Sequence, residues 1–312
     1  MVSFLLALAA QALHLVLMLA AAPLMAGAIA WFEARMQGRA GPPLLQPWHD
    51  MARALRRMPV LAEGTSWLTR AAPGLRLGVL VVAAALVPGF TRDMALAPAA
   101  DLLAITGLLA LARALSVLAA MDEGGAAAGH AAAAMLSRVT LAAPALMLVL
   151  FALGLAAGDT ALSAILAMTA EDAPGWVLAA LPLALALILA IAADGTGGAT
   201  AEISGRHEAV AAAGDALRLT VWLALVAVLF LPPYPPIGHL DPAGTAGNWL
   251  IHLPAWLAKM ALLAFGVAGA RTLSLWPGSL WPGARSVPAV LASASLLAVL
   301  GAMLLFAGQR QP

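Results

Sequence analysis

Charged side chains within long apolar runs are the first residues in this sequence that could do chemistry. Lys259 lies nine residues into a run that begins at Leu250, and Arg76, Arg113 and Arg218 lie in or at the ends of other runs. A charge at the centre of a bilayer costs at least about 2.5–3.5 kcal/mol unless it reaches water or a counter-ion. Lys259 therefore indicates a polar chamber or an ion path, with snorkelling to the interface as the alternative. Both interpretations are open for Arg113.

Metal chemistry is not indicated within this chain. The sequence has no cysteine, so it offers no thiolate for an iron–sulfur cluster and no disulfide. Its six histidines are scattered and show neither the i, i+4 pairs nor the His–acid spacings that hold a metal. We therefore expect no cofactor in this chain and any redox centre in a partner.

The composition is that of a membrane protein. The chain has 312 residues, of which 63% are hydrophobic and 10% charged, and its mean hydropathy is +0.96. Soluble domains carry roughly 25% charged residues. The formal net charge is +1, and no basic face is available to neutralise a row of phosphates, which excludes nucleic acid as a partner.

Eight segments are apolar enough to cross a bilayer, for which a helix needs about 20 residues. We predict an all-α polytopic membrane protein that forms a single integral membrane domain over residues 1–312. The predicted spans are 3–30, 73–90, 98–121, 139–157, 174–193, 215–231, 250–270 and 287–307. The first lacks a basic n-region and a cleavage site, so we interpret it as a retained span.

The basic residues predict the orientation. Ten arginines lie in the connections after spans 1, 3, 5 and 7, whereas only Arg92 and Arg310 lie on the opposite side. By the positive-inside rule, the loop at 31–72 is cytoplasmic and both termini are periplasmic. We expect a multi-pass protein of a bacterial inner membrane, in contact with membrane lipids.

The loop at 31–72 has the pattern of an amphipathic helix, with apolar residues at three- and four-residue steps. The apolar residues are Leu44, Leu45, Trp48, Met51, Leu55 and Met58, and the polar residues are His49, Asp50, Arg53, Arg56 and Arg57. A basic helix held on the membrane surface by anionic headgroups would explain the pattern. The alternative is a docking platform for a cytoplasmic partner, favoured by the shape that Gly41, Pro42 and Pro47 impose.

This loop also resembles a known family. FEARMQGRAGPPLLQPWHDMARALRR, residues 32–57, is similar to the first cytoplasmic loop of the complex I subunit 1 family, in the branch of hydrogenase-4 and formate hydrogenlyase. The residues at the family's spacing are Arg35, Gln37, Arg39, Gly41, Pro42, Gln46, Pro47 and Asp50. TSWLTRAAP (65–73), ALARALSVLAAMDEG (110–124) and ISGRHEAV (203–210) are similar to later family segments, and Lys259 falls where span 7 of this branch has a lysine.

The resemblance implies a membrane-arm subunit that anchors a cytoplasmic redox module, couples it to proton translocation and is not catalytic alone. Implied partners are hydrogenase-like or complex I-like catalytic and iron–sulfur subunits and antiporter-like membrane subunits. Iron–sulfur clusters and a nickel–iron centre would belong to those partners. The expected docking residues are Glu33 and the family-spaced residues of the loop.

A polar coupling path is the second expectation from the resemblance. The candidate residues are Lys259, Arg113, Asp122, Asp194, Glu202 and Arg206. Asp122 is included on the resemblance alone, since a solvated loop acid would otherwise explain it. Ala143 stands where the branch commonly has a glutamate, and the connection between spans 5 and 6 keeps few acids. These losses count against family-style proton coupling and leave the anchoring role untouched.

Two other polar residues are predicted to be structural. Asp101, with Pro98 just before it, is interpreted as the start of a helix, and His14 as a packed, hydrogen-bonded core residue. The alternative function is a stand-alone secondary transporter, suggested by Lys259 and by the many small residues. Such transporters usually have repeated halves with broken helices, and the sequence shows no internal repeat.

Overall fold

The computed structural model describes residues 2–60, 65–91, 94–170, 176–194, 204–231, 242–275 and 287–309. These residues form ten α-helices: α1 (Val2–Met36), α2 (Gln46–Leu55), α3 (Trp67–Leu86), α4 (Leu102–Asp122), α5 (Ala126–Ala157), α6 (Leu162–Ala170), α7 (Trp176–Asp194), α8 (Arg206–Phe230), α9 (Pro242–Leu275) and α10 (Val287–Gln309). The prediction of an all-α membrane protein is confirmed.

Each predicted span overlaps one helix of the structure. Seven described helices are long and apolar enough to cross a membrane, and α7 contains a shorter apolar segment, Leu178–Asp194. With its 19 residues, α7 is about 28 Å long, close to the thickness of the hydrocarbon core of a bilayer. The amphipathic α2 and the short α6 are the other two helices.

The predicted end of the second span and the predicted start of the third span differ from the helix ends in the structure. We predicted residues 73–90 as one span, but α3 ends at Leu86 and Val87 is extended. The cause is Pro88, because a residue before proline is driven out of the helical region. The predicted span 98–121 begins within a 3₁₀ turn, Ala97–Ala99, and α4 begins only at Leu102.

Several helices are longer than their predicted spans. We predicted the fourth span at 139–157, but α5 begins at Ala126, within what we took for a polar connection. Six alanines in the first eight residues of α5 explain this, since alanine has the highest helix propensity. Helix α1 runs on to Met36 and α3 begins at Trp67, so the predicted loop at 31–72 reduces to a first connection of residues 37–66 that includes α2.

Helix α8 lies at the centre of the bundle. All residues from Leu217 to Ala227 are buried, and α8 packs against α1, α2, α3, α7 and α9. A helix that is apolar on all sides and surrounded by protein belongs to the interior of a large bundle. One large hydrophobic core contains residues of nearly all the long helices.

Connections meet at two opposite ends of the bundle. At one end, the backbone N–H of Ser204 donates to the carbonyl of Val60 at 3.2 Å, and Ser66 donates to Asp122. At the other end, the N–H of Leu102 donates to the carbonyl of Thr160 at 3.0 Å. The first, third and fifth connections between the spans therefore share one end, as the predicted alternation of spans requires.

Candidate functional site

Five arginines and three carboxylates come together near the end of the bundle that carries the first connection. This arginine–carboxylate cluster consists of Glu33, Arg76, Arg113, Arg138, Asp194, Asp215, Arg218 and Arg271. Seven helices contribute, namely α1, α3, α4, α5, α7, α8 and α9. Arginine suits such a site, because its planar guanidinium stays charged and donates up to five hydrogen bonds.

Asp194 is the most connected member of the cluster. Its carboxylate lies 2.7 Å from Nη2 of Arg113 and also pairs with Nη1 of Arg218. Its backbone carbonyl accepts hydrogen bonds from Arg113 at 3.2 Å and from Arg138 at 3.5 Å. Since Asp194 is the last residue of α7, the arginines also face the negative end of the helix dipole.

A second ion pair joins α3 to α8. Nη2 of Arg76 contacts Oδ1 of Asp215, and the two side chains are 8% and 17% exposed. Asp215 lies three residues before Arg218 on the same face of α8, which places this pair next to the carboxylate of Asp194. Gly214 allows the approach, because a Cβ at that position would lie 3.3 Å from Nε of Arg76.

A third ion pair joins α1 to α9. Nη1 of Arg271 lies 3.1 Å from Oε1 of Glu33, and Nε of Arg271 donates to the carbonyl of Ala192 at 3.4 Å. Arg271 thereby connects the end of α1 to the last turn of α7. The guanidinium of Arg271 therefore holds the ends of three helices together.

The buried charges of the arginine–carboxylate cluster are stabilised by pairing with one another. Arg113 and Arg218 are 4% and 6% exposed, and removing such groups from water costs several kcal/mol per ion. Pairing offsets that cost only while all partners are present, so loss of one partner leaves an uncompensated buried charge. Among the described residues of the cluster, arginines outnumber carboxylates.

Of the predicted coupling residues, the structure brings Arg113 and Asp194 together. Lys259 is half-buried in α9, twelve residues before Arg271, or about 18 Å along the helix axis. Arg206 is exposed at the first residue of α8. Glu202 lies outside the described residues.

Asp122 lies apart from the cluster, at the junction of α3 and α4. Its Oδ2 accepts hydrogen bonds from the backbone N–H and hydroxyl of Ser66, at 3.0 and 2.8 Å, and from the same groups of Thr69, at 3.2 and 2.6 Å. Ser66 is itself the N-cap of α3. Asp122, the last residue of α4, thus caps the start of α3 and joins the two helices.

The predicted docking residues lie on the first connection and the end of α1. The guanidinium of Arg35 stacks over the ring of Trp31 at 5.2 Å, Arg39 donates to Gln37, and both arginines are exposed. Glu33 is half-buried through its ion pair with Arg271.

The start of α2 carries the other predicted docking residues. Pro47 occupies its first turn, where the missing N–H costs nothing. Nε2 of Gln46 donates to Asp50 at 3.0 Å, and Asp50 also pairs with Arg53. Gly41 and Pro42 are half-buried in the approach to this helix.

The sequence analysis missed several members of the cluster. Arg76 and Arg218 were noted as basic residues in spans, but Asp215, the partner of Arg76, and the contact of Arg138 with Asp194 were not foreseen. The available signal was that Asp215 and Arg218 lie three residues apart in one apolar span.

The two residues predicted to be structural are confirmed. His14 is fully buried with Nε2 3.0 Å from the carbonyl of Ala84, and Asp101 caps α4 through Ala104.

Asp101 also joins two connections at the opposite end of the bundle. Burial alone would raise the pKa of its carboxyl, but hydrogen bonds from the hydroxyl of Thr160 and the N–H groups of Ala104 and Leu103 outweigh it, so the pKa is lowered.

Within the described ranges, no group of three or more His, Asp or Glu is placed to hold a metal ion. The arginine–carboxylate cluster provides fixed charges and hydrogen bonds.

Comparison with known proteins identifies the family. The model of the NADH dehydrogenase family matches residues 8–275, which include every member of the arginine–carboxylate cluster and the first connection. The chain belongs to the NADH dehydrogenase family. This confirms the resemblance to complex I subunit 1 that the first connection indicated.

Two curated proteins from Escherichia coli (strain K12) are similar to this chain. Formate hydrogenlyase subunit 4 is 29% identical over 306 residues, which cover 89% of this chain and 95% of that protein. Hydrogenase-4 component C is 30% identical over 230 residues, which cover 70% of this chain and 73% of that protein. The hydrogenase-linked branch suggested by the sequence is therefore confirmed.

A solved structure shares the fold. It is a chain of the membrane-bound sulfane sulfur reductase, an archaeal respiratory membrane complex, with a TM-score of 0.72 and 18% sequence identity. The match covers 98% of this chain and 100% of that chain. The two chains therefore share one helical fold over almost their whole length.

Proposed function

We propose that this chain is a membrane-arm subunit of a hydrogenase-4-, formate hydrogenlyase- or complex I-like oxidoreductase and anchors its cytoplasmic redox module. The similarity to subunits of two such enzymes over most of both chains supports the class of complex. The anchoring role rests on one observation, which is that exposed polar residues of the first connection are held on a fixed backbone.

Close packing fixes that backbone at three places. A Cβ on Gly27 of α1 would lie 2.1 Å from the carbonyl oxygen of Leu44, and one on Gly41 would lie 2.8 Å from the ring of Trp31. At the far end, a Cβ on Gly205 would lie 2.5 Å from the carbonyl oxygen of Met58. A loop bound only by lipid headgroups would not need such contacts, whereas a docking surface gains affinity from being preorganised.

The test is recovery of partners from native membranes. A charge reversal at exposed Arg39, Arg39→Glu, should reduce co-purification of a hydrogenase-like catalytic subunit and its iron–sulfur subunit, as measured by quantitative mass spectrometry. The matched control is Arg70→Glu, because Arg70 is also exposed but lies in α3, outside the first connection. Recovery of the chain alone from gently solubilised membranes would contradict the anchoring role and favour a stand-alone transporter.

We further propose that the arginine–carboxylate cluster takes part in coupling the redox module to proton translocation. The cluster connects Glu33, beside the docking residues, to Asp215 and Arg218 in the most buried helix. Displacement of one charge changes the field at its neighbours, because ion pairs in a medium of low dielectric interact strongly. Of the predicted coupling residues, this proposal includes Arg113 and Asp194 and leaves Asp122 as a structural cap.

A further inference from the structure

The core-facing side of α9 carries polar groups outside the arginine–carboxylate cluster. His252 and Trp256 are buried, and Trp249 is half-buried against the main hydrophobic core. Their spacing of three and four residues places them on one face of the helix. Half-buried Lys259 follows Trp256 by one turn, on the side towards Arg271. We call the segment from Trp249 to Lys259 the α9 polar stripe.

Two groups of the α9 polar stripe are buried donors without an acceptor. Nε1 of Trp249 and Nε1 of Trp256 are removed from solvent, and neither has a hydrogen-bond partner among the residues that the structure describes. Trp256 is only 1% exposed. An indole N–H can only donate, and leaving a buried donor unsatisfied costs about 1–3 kcal/mol. Such groups in native proteins are usually explained by ordered water.

The ring of Trp249 packs on the segment that follows α3. The ring of Trp249 meets Phe90 edge to face, with ring centroids 5.7 Å apart. Next to Phe90, the backbone at Gly89 packs so closely on the imidazole of His14 that a Cβ there would lie 2.4 Å from Nδ1. The segment Gly89–Phe90 therefore contacts both Trp249 of α9 and His14 of α1. A buried water needs two to four polar partners.

We propose that the α9 polar stripe binds ordered water, to which the indole N–H groups of Trp249 and Trp256 donate and which extends to the ammonium of Lys259. This binding site lies in the half of the bundle away from the arginine–carboxylate cluster. It explains why a lysine and two indole donors share the inner face of one membrane-spanning helix. The inference does not depend on the anchoring role, since it rests on the buried donors themselves.

The test is water exchange at the indole N–H groups of the full chain in lipid nanodiscs. The chain has nine tryptophans, so labelling with ¹⁵N-tryptophan gives nine indole signals. Trp249→Phe and Trp256→Phe each remove one signal and assign it, while the phenyl ring fills most of the indole volume. Magnetisation transfer from water to each assigned N–H then reports contact with water directly.

We expect transfer from water to both N–H groups in the unmodified chain. Lys259→Met should slow exchange at Trp256 several-fold, because it removes the cation at the end of the site, and Leu262→Met, on the exposed side of the same helix, should leave it unchanged. Absence of transfer at both indoles would overturn the proposal. Transfer that is unaffected by Lys259→Met would overturn the extension of the water to Lys259.

Discussion

The carboxylate of Asp194, at the last residue of α7, is held 2.7 Å from the guanidinium of Arg113 in α4. This contact brings the end of one helix to the side of another beside a large hydrophobic core. Arg138 and Arg218 approach the same residue from α5 and α8. The C-terminal end of α7 is therefore joined to α4, α5 and α8 through one residue, Asp194.

Asp194→Asn should destabilise the protein and impair coupling. The substitution leaves Arg113 and Arg218 buried without their counter-charge, which costs about 3–5 kcal/mol for a buried ion pair. Thermal unfolding in detergent measures the stability, and proton translocation per electron in proteoliposomes containing the whole complex measures the coupling. Asp50→Asn is the control for stability, because the Asp50–Arg53 pair is 51% and 61% exposed and such pairs contribute about 0–1 kcal/mol. Equal stability of the two variants would contradict the assignment of Asp194.

Asp122→Asn should lower stability without changing coupling. The carboxylate oxygen of Asp122 accepts four hydrogen bonds from Ser66 and Thr69, and an amide accepts these more weakly than a charged carboxylate. Thr69→Val, which removes the shortest of these bonds, should have a similar but smaller effect. If Asp122→Asn abolished proton translocation while thermal stability stayed normal, Asp122 would belong to the coupling path instead.

Gly205→Ala should disturb the first connection more than an equivalent change elsewhere. Gly205 has a φ of 69°, which disfavours any residue with a Cβ by roughly 1 kcal/mol, and the new Cβ would clash with the backbone of Met58. Gly38→Ala is a matched control, because Gly38 has a φ of 71° but open space around it. We expect a larger fall in melting temperature for Gly205→Ala. Equal falls would indicate that the contact with Met58 does not form.

Gly89→Ala should destabilise the half of the bundle away from the cluster. Its Cβ would lie 2.4 Å from Nδ1 and 2.6 Å from Cε1 of His14, and overpacking of a core costs about 1–3 kcal/mol. Gly78→Ala should be harmless, since Gly78 lies inside α3 with open space around it. Adding His14→Ala to the Gly89→Ala variant should recover part of the lost thermal stability, and failure to do so would place the clash elsewhere.

Stability should depend on Asp101 at acidic pH. Its pKa is lowered in the folded chain, so its contribution is present above the pKa of the unfolded state and is lost as the pH falls below about 4. Asp101→Asn keeps the helix cap but removes this titration. Melting curves of the two proteins between pH 6 and pH 3 should therefore converge at low pH, and parallel curves would contradict the assignment.

Each predicted span corresponds to a long apolar helix of the described residues, because an apolar run of sufficient length has few other solutions. The helix cap at Asp101 was also predicted, because capping depends on residues only a few positions apart. The ends of α3 and α5 were misplaced, because Pro88 and an alanine-rich run changed the helix boundaries while hydropathy stayed almost uniform. Hydropathy measures affinity for lipid, whereas a helix boundary depends on the backbone.

The arginine–carboxylate cluster could be foreseen only in part. Arg76 and Asp215 are 139 positions apart, and Glu33 and Arg271 are 238 positions apart. Such pairings depend on which helices become neighbours, and no local pattern in one sequence encodes that. Charge inside an apolar run does show that a partner is needed, and this signal singled out Arg113.

The burial of α8 on every side also constrains how the protein is made. From Leu217 to Ala227, α8 is buried on every side, and the helix also carries Asp215 and Arg218. Such a helix gains little free energy from entering lipid alone. It becomes stable only when α1, α3 and α7 already stand around it, because α3 and α7 carry the counter-charges of Asp215 and Arg218. During synthesis, therefore, the earlier helices must remain open as a cleft until α8 emerges, and premature closure of that cleft would give a misassembled chain.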